Sequence, residues 1–505
     1  MAMQQVSYKG LIGSTYSNAA ISVSGDRSVN LFVEVVESGT GKNNVFLRGT
    51  AGLKKLVSAA RTGQDTLPDQ PIRCAWAGSE RLFVVAGATV FEVFPDWTYR
   101  TLGTVLRDNA PAQIFANGNQ LFIVSGGQGY TTASDVTGTL SLQAVIPATT
   151  GEYLDTYFIA QTPSSSQYQL SKSLDGLTWD PLDFATKESD AFHIVSTLTD
   201  HQLLILFGER SIEFWQNVGG ADFPLQRVDG GVIEQGCGAV ASPARIGTGR
   251  IAWLGYDSRG EGIVWAASSY QPERISNHCV ETALQGYRKA GARLDNCVGI
   301  AKQLGGHHFY ELHVPDANQR AGATWVYDDT ASGQLKSPQW HERLAWDTEF
   351  GNWKAHWGRT HCYVFGKHIV GDYRNGNLYE ESFDYFDDDG TPLRAMRSAP
   401  HLHNNGSMVF YGALWMDCVV GDTSNLMDGN GNPRPPQMMR QISNDGGRRW
   451  GEELWVGMGM TGEYRARARW TRGGRARDRC DRFVITDPIQ RILINAELEC
   501  EVGLG

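Results

Sequence analysis

The chain has 505 residues, 41% of them hydrophobic and 20% charged, with a formal net charge of −10. That length exceeds one compact domain, and that composition supports a packed core rather than a disordered chain. The acidic balance argues against a protein that wraps nucleic acid by neutralising its phosphates; it fits first an ordinary soluble surface, and also one that duplex DNA passes without sticking.

The sequence holds 58 Gly and 15 Trp. Gly supplies the positive-φ turns that many short strands need, and Trp fills wide gaps between sheets. Eight cysteines, at 74, 237, 279, 297, 362, 418, 480 and 500, are scattered with no CxxC pair. That spacing speaks against zinc-ribbon and thioredoxin-type readings and fits a reduced compartment. The opening MAMQQVSYKG lacks the apolar run of a signal peptide, and no stretch of about 18 apolar residues predicts a membrane span.

In chain order, SVNLFVEVV (28–36) reads as a strand placed to join a later unit and fasten a ring. GTGKNN (39–44) lacks the Ser or Thr that follows Lys in a phosphate-binding loop. Helical periodicity is nearly absent; its best candidate is the short AGLKKLVSAA (51–60). Short alternating apolar runs ended by Gly, Asn or Asp follow, as strands in hairpins are. RLFVVAGATVFEVF (81–94), QLFIVSGGQGY (120–130), DTYFIAQTPSSSQYQLSKS (155–173) and QLLILFGERSIEFWQN (202–217) look like one unit repeated. RIAWLGYDSRGEGIVWAAS (250–268), HHFYELHVPDANQRAGATWVYDD (307–329) and HCYVFGKHIVGDYRNGNLYEES (361–382) continue it. The anchors Leu82, Leu121, Tyr157, Leu203, Ile251, His308 and His361 are spaced by 36 to 57 residues. Four-stranded units at about that period predict an all-β chain built on a β-propeller of about seven blades, with six to eight as the range.

FDYFDDDGTPLRAMRSAPHLHNNG (383–406) is turn-rich and polar and reads as a boundary. Strand patterns beyond it (SMVFYGALWMDCVV, PQMMRQIS, EELWVGM, YRARARW, RFVITD and QRILINAELEC) predict a small C-terminal antiparallel β-sandwich. The expected division is an N-terminal arm with a ring-closing strand over 1–65, the propeller over 66–395 and the sandwich over 396–505.

Two features invite a chemical reading. ISNDGGRRWGEE (442–453) carries Ser443, Asp445, Gly447 and Trp450 in the spacing of an Asp-box, a turn also found on sialidase blades, and SLDGLTW (173–179) is a shorter copy. Its physics is structural: carboxylate and hydroxyl hold backbone amides of a hairpin, Gly447 allows the turn, and Trp450 plugs the sheet. A glycosidase needs a spaced pair of carboxylates besides, which these turns do not supply. No GxSxG elbow occurs, and DDDG (387–390) lacks calcium-loop spacing and reads as a solvated turn. His307, Glu311 and His313 share one face of a strand, where an exposed rim or interface explains them as well as a metal does.

GEYRARARWTRGGRARDRCDRF (462–483) holds Arg465, Arg467, Arg469, Arg472, Arg475, Arg477, Arg479 and Arg482. The first three alternate, so in a strand they line one face. So many guanidiniums on a small domain repel one another unless carboxylates or phosphates lie opposite. A subunit or adaptor interface with acidic partners such as Asp384 and Asp387–Asp389 is the preferred reading. A DNA-backbone contact and a solvated basic face are the alternatives.

The run NDGGRRWGEELWVGMGMTGEYRARARWTRGGRARDRCDRFVITDP (444–488) resembles the C-terminal signature of the tail hub, or nozzle, proteins of short-tailed phages, the packaged-DNA stabilisation family. LLILFGERSIEFWQNVG (203–219), VIEQGCGAVASPA (232–244), VYDDTASGQ (326–334) and the opening MQQVSYKG fit the same family. The resemblance implies a structural virion protein without catalytic residues, cofactor or metal. It implies a ring of about six copies below the portal and its head-to-tail adaptor. Such a ring extends the DNA channel, helps retain the genome, meets tail fibres or tailspikes, and is sealed by a needle or plug. The setting implied is the virion tail, assembled in the cytoplasm of a bacterial host. The competing functional classes are a glycan-binding or glycan-cleaving propeller and a basic-faced DNA-binding module reading through Arg465, Arg467 and Arg469.

Overall fold

A computed structural model describes residues 3–503 apart from 18, 19, 21, 40–42, 57–65, 135–139, 221, 222, 248, 257–261 and 421–425. Five antiparallel four-stranded sheets follow one another over 72–104, 113–147, 151–186, 194–233 and 244–274. Two further units, four strands over 298–342 and three over 358–382 completed by a fourth from 52–55, are each part of a larger sheet. The chain is thus an all-β propeller followed by a β-sandwich, and the blades fall within the range expected from the repeat. Six of the seven anchors lie on the second strand of their unit. The seventh, His361, lies on the first strand, Gly358–Val364, and the fourth strand of that unit is borrowed from elsewhere.

The borrowed strand is Gly52–Lys55, which pairs with Leu378–Ser382. The ring closes where Gly358–Val364 touches the first strand of the first blade, Ile72–Gly78. This corrects two expectations. The segment 28–36 does not fasten the ring: Gly25–Val29 and Leu31–Val35 lead into the sandwich. The helix candidate at 51–60 is a strand over its first part, and 57–60 lies outside the described residues. The physical reason is visible at Gly52, where a Cβ would stand 2.4 Å from the carbonyl oxygen of Asp387 and 2.5 Å from that of Tyr385. Backbone crowding, not an apolar pattern, sets this strand, and GLKK carries too little hydrophobic signal to announce it.

Neighbouring blades are glued by separate apolar clusters. Phe83, Val85 and Ile123 join the first to the second, Phe122 and Phe158 the second to the third, and Ile159, Leu204 and Trp215 the third to the fourth. Phe207, Phe214 and Trp253 join the fourth to the fifth. Leu254, Val264, Tyr310 and Trp325 join the fifth to the sixth, together with a helix the sequence reading did not foresee. That helix, His278–Lys289, is capped by the Asn277 side chain accepting from the Val280 amide and buries Cys279, Val280 and Leu284. It and the hairpin Leu344–Asp347/Asn352–Ala355 occupy the two longest spacings in the repeat. Among the described residues no helix is long and apolar enough to cross a membrane.

One inner strand carries a buried acid. Glu152 is 4% exposed, and its Oε2 accepts from the Thr199 hydroxyl at 2.9 Å. Burial pushes its carboxyl up to about 7, against the pull of Arg245 and Thr199. A raised carboxyl contributes its full share of stability below the unfolded value of about 4.3, and that share is lost as pH rises through about 7. Glu152→Gln is therefore expected to stabilise the protein at pH 8, by roughly 3 kcal/mol at most, and to change little at pH 4. Equal melting temperatures for the two proteins at pH 8 would contradict this.

The sandwich draws strands from both chain ends. Gln4–Ser7 and Val45–Gly49 pair with the C-terminal strand Ile492–Val502, which also pairs with Val409–Cys418. Gly25–Val29 bridges to the sixth blade at Glu342 and pairs with Ala395–Ser398, so blade and sandwich share one hydrogen-bonded sheet. The core of this region contains Leu31, Leu47, Leu414, Met416, Phe483 and Leu498. The N-terminal arm is therefore a structural part of the sandwich and of the seam, beyond the ring-closing role expected of it.

Candidate functional site

The Asp-box sits on the sandwich, between Gln437–Ser443 and Leu454–Gly457, and not on a blade. The Ser443 hydroxyl donates to Asp445 Oδ1 at 2.8 Å and accepts from the Gly447 amide at 2.9 Å. The same Asp445 oxygen accepts from the amides of Arg448 and Arg449 at 3.0 and 2.9 Å. These amide bonds and the Ser443 hydroxyl hold the Asp445 carboxyl below the usual range. Gly446 and Gly447 both have positive φ, 72° and 85°, which favours Gly at this turn. One carboxylate oxygen, Oδ1, thus carries the turn. Trp450 is half-buried and does not plug the sheet as expected; the Arg482 guanidinium lies over its ring at 3.8 Å. The shorter copy stays on the third blade. There Asp175 accepts from the Leu177 amide, and the Trp179 ring nitrogen donates to the Gly176 carbonyl.

The arginine run does not form one face. The strand covers only Ala468–Trp470, so Arg465 and Arg467 lie in the preceding loop and the expected alternation is broken. Arg467 pairs with Asp417 and Glu497, and Arg469 leans over Trp415 at 5.2 Å. Arg477 donates to the Gly406 carbonyl. Arg465, Arg472 and Arg475 are exposed and make no side-chain hydrogen bond or ion pair among the described residues. Arg479 and Arg482 are a correction: both are used internally. Arg479 is buried over the Tyr411 ring at 3.9 Å. Arg482 is half-buried, and burial with Arg27 and Arg394 nearby pushes it down to about 10. The acidic stretch proposed as counterpart also differs from expectation. Asp388 is not in a solvated turn but buried against Arg343, with Asp388 Oδ1 accepting from its Nη2 at 2.8 Å.

A charged junction between the sixth and last blades is not legible in the sequence pattern. Lys302 Nζ donates to both oxygens of Glu381 at 2.6 and 2.8 Å and lies 2.7 Å from Glu311 Oε1. All three side chains are buried. Burial pushes the Lys302 amine down, but the two carboxylates outweigh it and raise it. Burial pushes Glu311 up; Lys302 first, then the nearby His313 ring, reverse this and hold it well below the carboxylate range. Glu381 stays raised, since burial and the Glu311 charge exceed what Lys302 offsets. A cavity of about 20 Å³, room for about one water, is lined by these groups with His341, Arg343 and Phe32.

His307, Glu311 and His313 do share a strand face, but they are buried rather than at an exposed rim, and each serves a different partner. His307 bonds Asp328 at 2.7 Å, Glu311 holds Lys302, and His313 lies 3.5 Å from Glu311. Lys302 already supplies the cation there. The signal for it was a lone lysine within the strand VGIAKQL, easily read as a solvated position.

A groove of about 380 Å³ between the fourth and fifth blades, lined by Asp200, His201, Phe214 and Tyr270 among others, carries a single carboxylate. Sugar hydrolysis by the usual route needs two. Propeller and sandwich together, with Asp-box turns used as staples, define an all-β two-part protein. The chain belongs to the bacteriophage P22 Gp10 family: the family's β-propeller model matches residues 13–385, and its β-sandwich model matches 394–501. This is a family of phage tail structural proteins that stabilise packaged DNA.

No curated protein matches the chain. Among solved structures it is similar to the WD40 β-propeller domain of Doa1 (11% identity, 62% of this chain and 93% of that one, TM-score 0.34). The N-terminal domain of Nup159 gives 11% identity over 70% and 98%, TM-score 0.38. The exo-β-1,3-galactanase of Phanerochaete chrysosporium gives 12% identity over 78% and 96%, TM-score 0.28. No function is drawn from likenesses at these scores.

Proposed function

We propose that this protein is a non-enzymatic tail hub, or nozzle, which assembles as a ring of about six copies below the portal and adaptor. In that place it extends the DNA channel, helps retain the packaged genome and offers a seat to fibres or spikes. The observation that carries the reading is the match of both family models, together spanning nearly the whole chain. Two features support it. The Asp445 carboxylate is committed to its own turn. The exposed Arg465, Arg472 and Arg475 are unpaired within the described chain and suit acidic groups on a neighbouring subunit or adaptor. The net charge of −10 favours a lumen that duplex DNA traverses without specific binding.

The test is the copy number of the chain per purified virion, measured against the portal by quantitative mass spectrometry. About one hub for every two portal subunits is expected for a symmetric tail. Absence from the virion, or a copy number that follows the fibres, would overturn the reading. Replacing Arg465, Arg472 and Arg475 together by Glu is expected to abolish ring assembly on the adaptor while leaving the melting temperature within a few degrees. Normal ring yield from that variant would remove these arginines from the interface.

A further inference from the structure

Where the strand Asp478–Ile485 meets the chain entering Leu402–His403, three potential metal ligands converge. Asp478 and Cys480 are two residues apart on that strand, so their side chains share a face. His403 pairs with Asp478 and Leu402 with Arg479, which sets His401 beside them. His401 Nδ1 lies 2.8 Å from Asp478 Oδ1, and imidazole, carboxylate and thiol donor atoms all lie within 4.8 Å of one another. This cluster is separate from the arginine run's exposed loop and from the Lys302 junction.

Two donor atoms at or beside the cluster have no hydrogen-bond partner among the described residues. Cys480 is only 3% exposed, its thiol makes no hydrogen bond among the described residues, and the charges that act on it most are the carboxylates Asp478, Asp481, Asp26 and Asp445, of which Asp481 is paired with Arg440. Asp26, brought in by the N-terminal strand Gly25–Val29, buries its Oδ1 without a hydrogen-bond partner, although His401 and Arg397 act on it electrostatically. A buried carboxylate oxygen left unsatisfied is costly, and a metal ion is one of the few partners that satisfies it and a thiolate together. The Asp-box turn lies over the cluster: a Cβ at Gly446 would stand 3.4 Å from both Asp478 Oδ2 and His401 Cε1.

We propose that Cys480, His401 and Asp478 form a structural site for a divalent metal ion of the zinc class, with Asp26, which lies outside their 4.8 Å set, moving in as fourth ligand. The donor set decides the class. Calcium and magnesium take oxygen ligands, whereas thiolate with imidazole selects zinc and its soft neighbours. Ligand bonds of about 2.0–2.3 Å require the 2.8 Å contact between His401 and Asp478 to open by a few tenths of an ångström. Binding replaces the Cys480 S–H bond with a sulfur–metal bond and releases that proton to water. The ion would tie the N-terminal arm, the entrance to the sandwich and the strand after the arginine run at one point.

The test uses the full chain. Purified protein is equilibrated with Zn²⁺, freed of excess by gel filtration and analysed for metal; one ion per chain is expected. Exchange to Co²⁺ is expected to give a thiolate-to-metal charge-transfer band with the visible absorption of a tetrahedral site. Cys480→Ser and His401→Gln are expected to abolish the band, and Cys500→Ser to leave it. Wild-type protein that retains less than 0.1 ion per chain, on the order of nothing against the tight binding of structural sites, overturns the proposal without any variant. So does a band that survives in Cys480→Ser. If Cys480→Ser fails to fold, Asp26→Asn decides: it keeps the thiol, and an unchanged cobalt spectrum would remove Asp26 and with it the four-ligand site.

Discussion

Replacing Lys302 by methionine is expected to destabilise the protein by about 3–5 kcal/mol, because it strands two buried carboxylates without their cation. The apolar clusters between the other blades are hydrocarbon against hydrocarbon, and trimming one of those leaves a cavity but no charge. At this junction a single ammonium is shared between Glu311 on the sixth blade and Glu381 on the last. Its loss forces proton uptake or water entry beside the strand that closes the ring. Adding Glu311→Gln and Glu381→Gln to Lys302→Met is expected to recover most of the loss, since no buried charge then remains unpaired. Urea unfolding of the single and triple variants measures both. A Lys302→Met midpoint shift worth under about 1 kcal/mol, the size of an exposed pair, would show that the network is solvated.

Acidification is expected to weaken the same junction steeply. His341 is buried, and burial pushes its ring down to about 3, with Lys302, Arg343 and His307 adding to that and Glu311 opposing it. His313 and His356 are buried and depressed in the same direction. These rings are neutral in the folded protein and protonate readily once unfolded. The stability they carry is therefore complete above the unfolded histidine value of about 6.5 and is lost as pH falls toward the folded value. His341 alone removes about 1.4 kcal/mol per pH unit, or roughly 2 kcal/mol at pH 5. Glu311, held low, adds a further loss below about pH 4.3. Unfolding midpoints at pH 7 and pH 5 test this, with His341→Asn expected to shrink the difference by about one proton's worth. A variant with the full wild-type pH slope would assign the effect to other groups.

Much of the architecture was legible because β-structure writes itself with a period of two. RLFVVAGATVFEVF and its successors alternate around Gly turns, and the six anchors from Leu82 to His308 fall on equivalent strands. The last blade was harder, since its outer strand comes from more than 300 residues upstream in a stretch with one buried leucine, Leu53. The helix at His278–Lys289 was missed because only Cys279, Val280 and Leu284 are buried along it, too short an apolar stripe to stand out. At the candidate site, the Asp-box turn was readable as a staple because its bonds are local. Partners of the arginines were not: Arg479 meets Tyr411 and Arg482 meets Trp450 only through tertiary contact.

By itself the sequence determined what short-range chemistry determines: an all-β chain, repeated hairpins, the Asp445 turn, a basic C-terminal run and the signature of its family. The tertiary structure alone decided which strand fastens the ring, which arginines remain free for a partner, and where buried charge collects. Those outcomes depend on contacts between residues far apart in the chain, such as Lys302 with Glu381 or Arg343 with Asp388. Burial turns such pairs from indifferent surface groups into strong interactions, and burial is not a property that a residue carries in its own neighbourhood of sequence.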